Sequence, residues 1–550
     1  MPDAQAAVTS VGYGPLATLL GMIAFSVWLG TQAQKAVERG GFMQGYFLGN
    51  RGLGAWAVAL TATVQSGGTF MGFPALVYTH GWIVALWIGS YMAVPITGFA
   101  VLGKRFAQLS RRTGAITVPD LFDARYGDQR VGVVASLAIL GFLTFLMIAQ
   151  FKAGALVMKL TWPSVDSLAL VETAADDALQ SDYDYRYLLG LGIFAITVVG
   201  YTLIGGFLAS VWTDMFQSVL MLLGVVLLFV LVVPHVSQPG MDFPTLEAIK
   251  NTDDSYAFGP GYSPTGLAFL PLGAAISFFV TWPIGGVGTP AGMVRLMACK
   301  DADTLRRSIV LLSFYNGLIY LPLIVICICG RALMPGGFPP DEIVPRLAIW
   351  AAPDVPGGSL VSGLILAAPF GAVMATVSTF LVVIASGVVR DIYQRFLRPH
   401  AQAGEIRVVT YVVMLLLGVL GVAANINPVQ FLQKLVVFST SATAATFVAP
   451  ALMLAYWRRA TAAGSLAGML LGALTVLSLF TAGPLVEGKN LFDPYQLLGL
   501  DPIVWGLAVS SVASVVVSLM TSPPPAELVS RLFDELPTAG RDQSPAAVTS

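Results

Sequence analysis

Residues 53–82 read LGAWAVALTATVQSGGTFMGFPALVYTHGW, and this stretch decides the fold. It is apolar and longer than the roughly 20 residues a helix needs to cross a bilayer. Its centre nevertheless carries Thr61, Thr63, Gln65, Ser66, Gly67, Gly68 and Thr69, with no acidic or basic residue among them. A glycine pair among hydroxyl and amide side chains is where helical hydrogen bonds can open. Backbone groups freed there are too costly against lipid, so they must face protein or a water-filled cavity. The stretch reads as a broken membrane helix that supplies half of an ion and solute site.

The composition agrees. The chain has 550 residues, 56% apolar and 11% charged, with a mean hydropathy of +0.78. Soluble chains carry about a quarter charged residues, so this is a polytopic membrane protein. Apolar runs fall near 14–35, 53–80, 83–103, 132–157, 187–208, 211–236, 266–290, 308–332, 360–389, 408–426, 431–457, 461–483 and 502–521, thirteen spans in all. A short turn at Ala209-Ser210 is expected to separate spans 5 and 6. Three cysteines, Cys299, Cys327 and Cys329, make no disulfide framework and read as small buried residues. The N-terminus lacks the basic region of a signal peptide, so no cleavage is expected.

Loop charge sets the orientation. Lys35, Arg39 and Arg51 follow span 1; Lys104, Arg105, Arg111, Arg112, Arg125 and Arg130 follow span 3; Arg295, Lys300, Arg306 and Arg307 follow span 7. Arg390, Arg395, Arg398 and Arg407 follow span 9, and Arg458 and Arg459 follow span 11. The alternate loops are acidic or sparse. Positive charge accumulates on the cytoplasmic side, which puts the N-terminus outside and the C-terminus in the cytoplasm of a cell inner (plasma) membrane. A short amphipathic helix is expected from Val118 through Tyr126, started by Pro119.

A second stretch matches the first. Residues 270–294 read LPLGAAISFFVTWPIGGVGTPAGMV, where Thr281-Trp282-Pro283 runs into Gly285, Gly286 and Gly288. The breaks in spans 2 and 7 lie five spans apart, at corresponding places in blocks 2–6 and 7–11. An odd block length gives the blocks opposite topology, the plan of many secondary transporters with a midplane site. Gln65, Ser66 and Thr69 from one break, with Phe278, Thr281 and Trp282 from the other, are the expected solute ligands. No lysine or arginine is expected at midplane, so a carboxylate would use backbone amides or helix N-termini. Arg295 is read as an inner-gate or interface residue. In span 9, LAAPFGAVMATVSTFLVVIASGVVRDIY, Thr376 and Thr379 are candidate oxygen ligands for a hard cation. Asp214, near the start of span 6, is read as a functional carboxylate, with a helix cap as its structural alternative.

Other classes are excluded on chemistry. There is no phosphate-binding GxxxxGK[ST] loop, so ATP is not the energy source. No catalytic, haem or metal constellation marks an enzyme, no cofactor is expected, and a net charge of −1 suits no nucleic-acid partner.

Five ordered motifs carry a resemblance. These are YFLGNRGLGAWAVALTATVQSGGTFMGFPALVYTHG, GAITVPDLFDARYG, GGFLASVWTDMFQSVLMLLG, GGVGTPAGMVRLMACKD and AAPFGAVMATVSTFLVVIASGVVRDIY. The chain resembles the sodium:solute symporter family over roughly residues 46–460, looking closest to its pantothenate branch. The resemblance implies an all-α fold with a five-plus-five inverted-repeat, LeuT-like core and alternating access. The expected division is 1–52 as first helix and linker, and 53–457 as transport core, with repeats of about 53–236 and 266–457. Two peripheral helices (458–521) and a cytoplasmic tail (522–550) follow. It further implies a sodium site using carbonyls of Ala62, Gln65 and Ala372 and a hydroxyl pair at Ala375 and Thr376, and a role in cation coupling for Asp214. This chain departs at Ala375, which has no hydroxyl, and at Val64, where some members carry an acid. The expectation is cation-coupled uptake of a small organic solute, a carboxylate such as pantothenate or a monocarboxylate, with sodium favoured. A proton-coupled symporter or uniporter of the same fold, or a non-transporting sensor, is the alternative.

Overall fold

The computed structural model describes residues 12–37, 42–61, 66–162, 185–236, 271–334, 337–353, 355–427 and 432–534, and these are helical without a strand. Helices dominate because a segment in lipid must satisfy its backbone within itself. Among the described residues, nine helices are long and apolar enough to cross a membrane. One of them, Tyr185–Val236, has 52 residues. At 1.5 Å per residue it runs about 78 Å, enough for two crossings. Leu272–Gly288 and Pro290–Ala298 form a broken span bent by 46°. Ala55–Leu60 with Phe73–His80, and Ala85–Val94 with Val101–Thr113, are shorter pieces that complete the expected order of spans.

The boundary between spans 5 and 6 differs from expectation. The bend is at Gly206, with φ 57° and ψ −141°, and not at Ala209-Ser210, which lie in regular helix. Tyr46 explains the position. A Cβ on Gly206 would come within 2.6 Å of the Tyr46 ring and 2.7 Å of its carbonyl oxygen. The Tyr46 hydroxyl donates to the Leu203 carbonyl at 3.1 Å, satisfying an acceptor near the bend.

Among the described residues, spans 2 and 7 are each two helical pieces, and in span 7 a proline and glycine run lies between them. Span 2 stops at Thr61, whose N–H still reaches Ala57, and resumes through a π-helical turn at Gly68–Gly72. Ala62 and Gln65 lie outside the described residues. Span 7 stops at Thr281 and passes through a 3-10 turn at Gly285–Gly288. Spans 2, 3, 7 and 8 pack on one another, while spans 1, 4, 5, 6 and 9 form a second packed group. Span 11 packs on span 4 and on the last two spans. The helix Val118–Tyr126 forms where Thr117 caps it, accepting from the Asp120 N–H.

Candidate functional site

A cavity of about 150 Å³ lies between the two packed groups. From the first group come Thr61 and Ser66 at the span 2 break, Tyr91 of span 3, and Trp282 and Arg295 of span 7. From the second come Gln150 of span 4 and Ala375, Thr376 and Thr379 of span 9, with Thr440 and Thr443 of span 11 closing one side. A second cavity of about 120 Å³ shares Tyr91 and Trp282 and continues between spans 3 and 7 to Phe99 and Leu296.

The expected solute residues divide into a lining set and a supporting set. Ser66 and Trp282 line the cavity. Thr69 sits behind Ser66, sharing a hydrogen bond with Tyr320 at 3.0 Å. Thr281 turns away and donates to the Ser277 carbonyl at 2.8 Å. Phe278 stacks on Trp87 at 4.5 Å, and Trp282 stacks on Tyr91 at 4.4 Å. These aromatic contacts hold span 7 against span 3 and fix the Trp282 ring at the cavity wall.

Span 9 contributes oxygens in consecutive turns. Thr376 donates to the Ala372 carbonyl at 2.9 Å, and Ser378 to the Ala375 carbonyl at 3.0 Å. Asp214 and Arg295 form an ion pair at 3.1 Å, with both side chains at 5% exposure or less. Arg295 also donates to Thr379 at 2.8 Å and to Thr61 at 3.0 Å. The guanidinium thus joins the end of the first half of span 2 to spans 6 and 9. A cation therefore borders the cavity, where none was expected from the sequence, but its charge is matched by Asp214.

Gln150, Tyr91, Thr440 and Thr443 escaped the sequence reading. The signals existed: Gln150 is a lone amide in an apolar span, and Thr440 and Thr443 belong to the hydroxyl-rich run STSATAAT.

Two helices broken at corresponding places, facing an oxygen-rich helix across one cavity, have the plan of a secondary transporter of the inverted-repeat kind. Residues 46–472 match the sodium:solute symporter family, and the chain belongs to it. It is 30% identical to the sodium/pantothenate symporter of Escherichia coli over 510 residues, covering 91% of this chain and 96% of that one. It is 30% identical to the sodium/pantothenate symporter of Haemophilus influenzae over 477 residues, 85% and 89% of the two chains. A sodium-coupled sialic acid symporter in a substrate-bound outward-open state superimposes with a TM-score of 0.67 at 19% identity, covering 94% of this chain and 99% of the other. The protein is a multi-pass membrane transporter whose family couples sodium to a solute.

Proposed function

We propose that the protein takes up a small carboxylate-bearing solute, with pantothenate the leading candidate, together with sodium by alternating access. The observation that carries this reading is the cavity that brings Ser66 and Trp282 of the two broken spans together with Thr376 and Thr379 of span 9. Sodium would sit between the opened span 2, where the Ala62 and Gln65 carbonyls are assigned, and the Ala372 carbonyl and Thr376 hydroxyl of span 9. Ala375 has no hydroxyl to contribute, with Thr379 the substitute. The basic loops support an N-terminus outside and a C-terminus in the cytoplasm of the plasma membrane. A proton-coupled reading is favoured by one feature, the missing hydroxyl at Ala375.

Proteoliposomes loaded without sodium separate the readings. An inward sodium gradient at fixed pH on both sides is expected to drive radiolabelled pantothenate above equilibrium. Equal uptake in potassium sinks the sodium reading. Accumulation under a pH gradient alone establishes the proton version, and equilibration without accumulation a uniporter.

A further inference from the structure

Among the described residues, the Gln150 amide is committed at one end only. Its Oε1 accepts the backbone N–H of Gly67, the first helical residue after the span 2 break, at 2.6 Å. A Cβ on Gly67 would stand 2.9 Å from that oxygen and 2.8 Å from the Ala153 Cβ, so the close approach of spans 2 and 4 requires glycine. A backbone N–H can only donate, which fixes the oxygen end of the amide and leaves Nε2 as the other. Nε2 finds no acceptor among the described residues. Yet Gln150 is 0% exposed and lines the cavity. Buried polar groups are almost always paired, so an amide kept unpaired beside a cavity calls for an acceptor on whatever enters.

Across the cavity, Trp282 presents the same demand. Its Nε1 also lacks an acceptor among the described residues, while Tyr91 at 4.4 Å and Trp87 at 5.7 Å hold its ring. Indole N–H and the free end of this amide are donors only. An ammonium group would leave both unpaired. A carboxylate accepts only, and its charge would be balanced by the sodium carried with it, since Arg295 is already matched by Asp214.

We infer that Gln150 Nε2 and Trp282 Nε1 form a subsite for the carboxylate of the solute, with Gly67 orienting the amide. This subsite rests on the reading of the protein as a sodium-coupled carboxylate carrier. The Gln150→Glu variant keeps an oxygen for Gly67 and removes the donor; Trp282→Phe keeps an aromatic ring and removes the N–H. Binding to purified protein is measured by calorimetry in sodium, with pantothenate and proline as acids and pantothenyl alcohol and prolinol as their alcohol counterparts. Each variant is expected to bind the acid about ten- to hundredfold more weakly, the loss of one hydrogen bond to a charged group. The alcohol should change less than about twofold, and the thermal stabilisation given by sodium alone should persist. Wild-type protein that binds neither acid overturns the carrier reading and the subsite with it. Wild-type protein that binds an acid, with variants that bind it unchanged or lose acid and alcohol alike, overturns the subsite alone.

Discussion

Thr376 keeps its hydroxyl 2.9 Å from the Ala372 carbonyl one turn back, while Ala375 beside it offers the cavity only a methyl group. If sodium sits here, the site is short of one oxygen. Restoring it with Ala375→Ser is expected to tighten sodium binding about three- to tenfold, and Thr376→Ala to weaken it about tenfold or more, by the usual worth of a charge-assisted contact. The concentration of sodium that half-saturates its stabilising effect reads both; no change in either places the ion elsewhere. The hydroxyls were legible because small polar residues stand out in an apolar span. The Arg295–Asp214 pair was not, since the partners lie 81 positions apart and only folding brings them to 3.1 Å. Gln150 stands out as a lone amide in its 32-residue helix, but only folding shows that it meets Gly67, 83 positions away, at 2.6 Å.

Among the elements, the bends carry the specificity. Gly67-Gly68 and Pro283 with its glycines marked the breaks in spans 2 and 7 directly, because those residues weaken a helix wherever it packs. Gly206 follows a glycine at 205, and its role depends on Tyr46, a residue from the far end of the first linker. Gly206→Ala meets both a positive φ and the Tyr46 ring. Strain of about 1–3 kcal/mol and overpacking of about 1–3 kcal/mol act together there, so a large drop in melting temperature is expected, against little for Gly200→Ala, whose Cβ meets nothing within 4 Å. The helix Val118–Tyr126 is clasped to the end of span 9 by charge. Arg395 pairs with Asp120 at 3.1 Å and contacts Asp123, Arg390 reaches Asp120 at 3.3 Å, and Thr117 donates to Asp391 at 2.9 Å. Burial pushes the Asp123 carboxyl from an ordinary 3.8 up to about 6, against the pull of Arg395. Between those values the folded protein holds a proton that the unfolded chain has lost, so this group costs stability as pH rises through the window. Arg395→Ala removes the charge that limits the cost. The loss is expected to be near 3 kcal/mol at pH 7.5, the low end for a broken buried pair because Arg395 is partly exposed, and smaller at pH 5, where Asp123 is mostly protonated. A pH-independent difference in melting temperature would remove the clasp as the cause.

For the whole molecule, the question is what holds the two packed groups together on one side of the cavity. Among the described residues, few polar contacts cross between them there. Arg295 of span 7 binds Asp214 and Thr379, Ser218 of span 6 donates to the Leu60 carbonyl at 2.7 Å, and Tyr315 of span 8 donates to the Ser218 carbonyl at 2.8 Å. All lie toward the ends of spans 2, 6 and 7 that the loop charges assign to the cytoplasm. Opening inward must break them and hydrate the ion pair. Losing one partner of such a pair costs about 3–5 kcal/mol only while it is buried. Moving an equilibrium from 1:99 to 99:1 takes about 5.5 kcal/mol, so Asp214→Asn is large enough to carry the protein most of the way to the inward-open form. Ala291 is 9% exposed and lines the cavity beside Arg295, so a cysteine there reports the opening. In a background with the three buried native cysteines, Cys299, Cys327 and Cys329, replaced, a membrane-impermeant thiol reagent applied from the cytoplasmic face is expected to label Ala291→Cys slowly. Sodium should slow it further, by favouring the closed inner side. Adding Asp214→Asn should speed it by up to about a hundredfold, the ceiling set by a state that starts near 1% populated. Faster labelling in sodium, or none of this in the Asp214→Asn protein, would mean that the Arg295 contacts do not close the inner path.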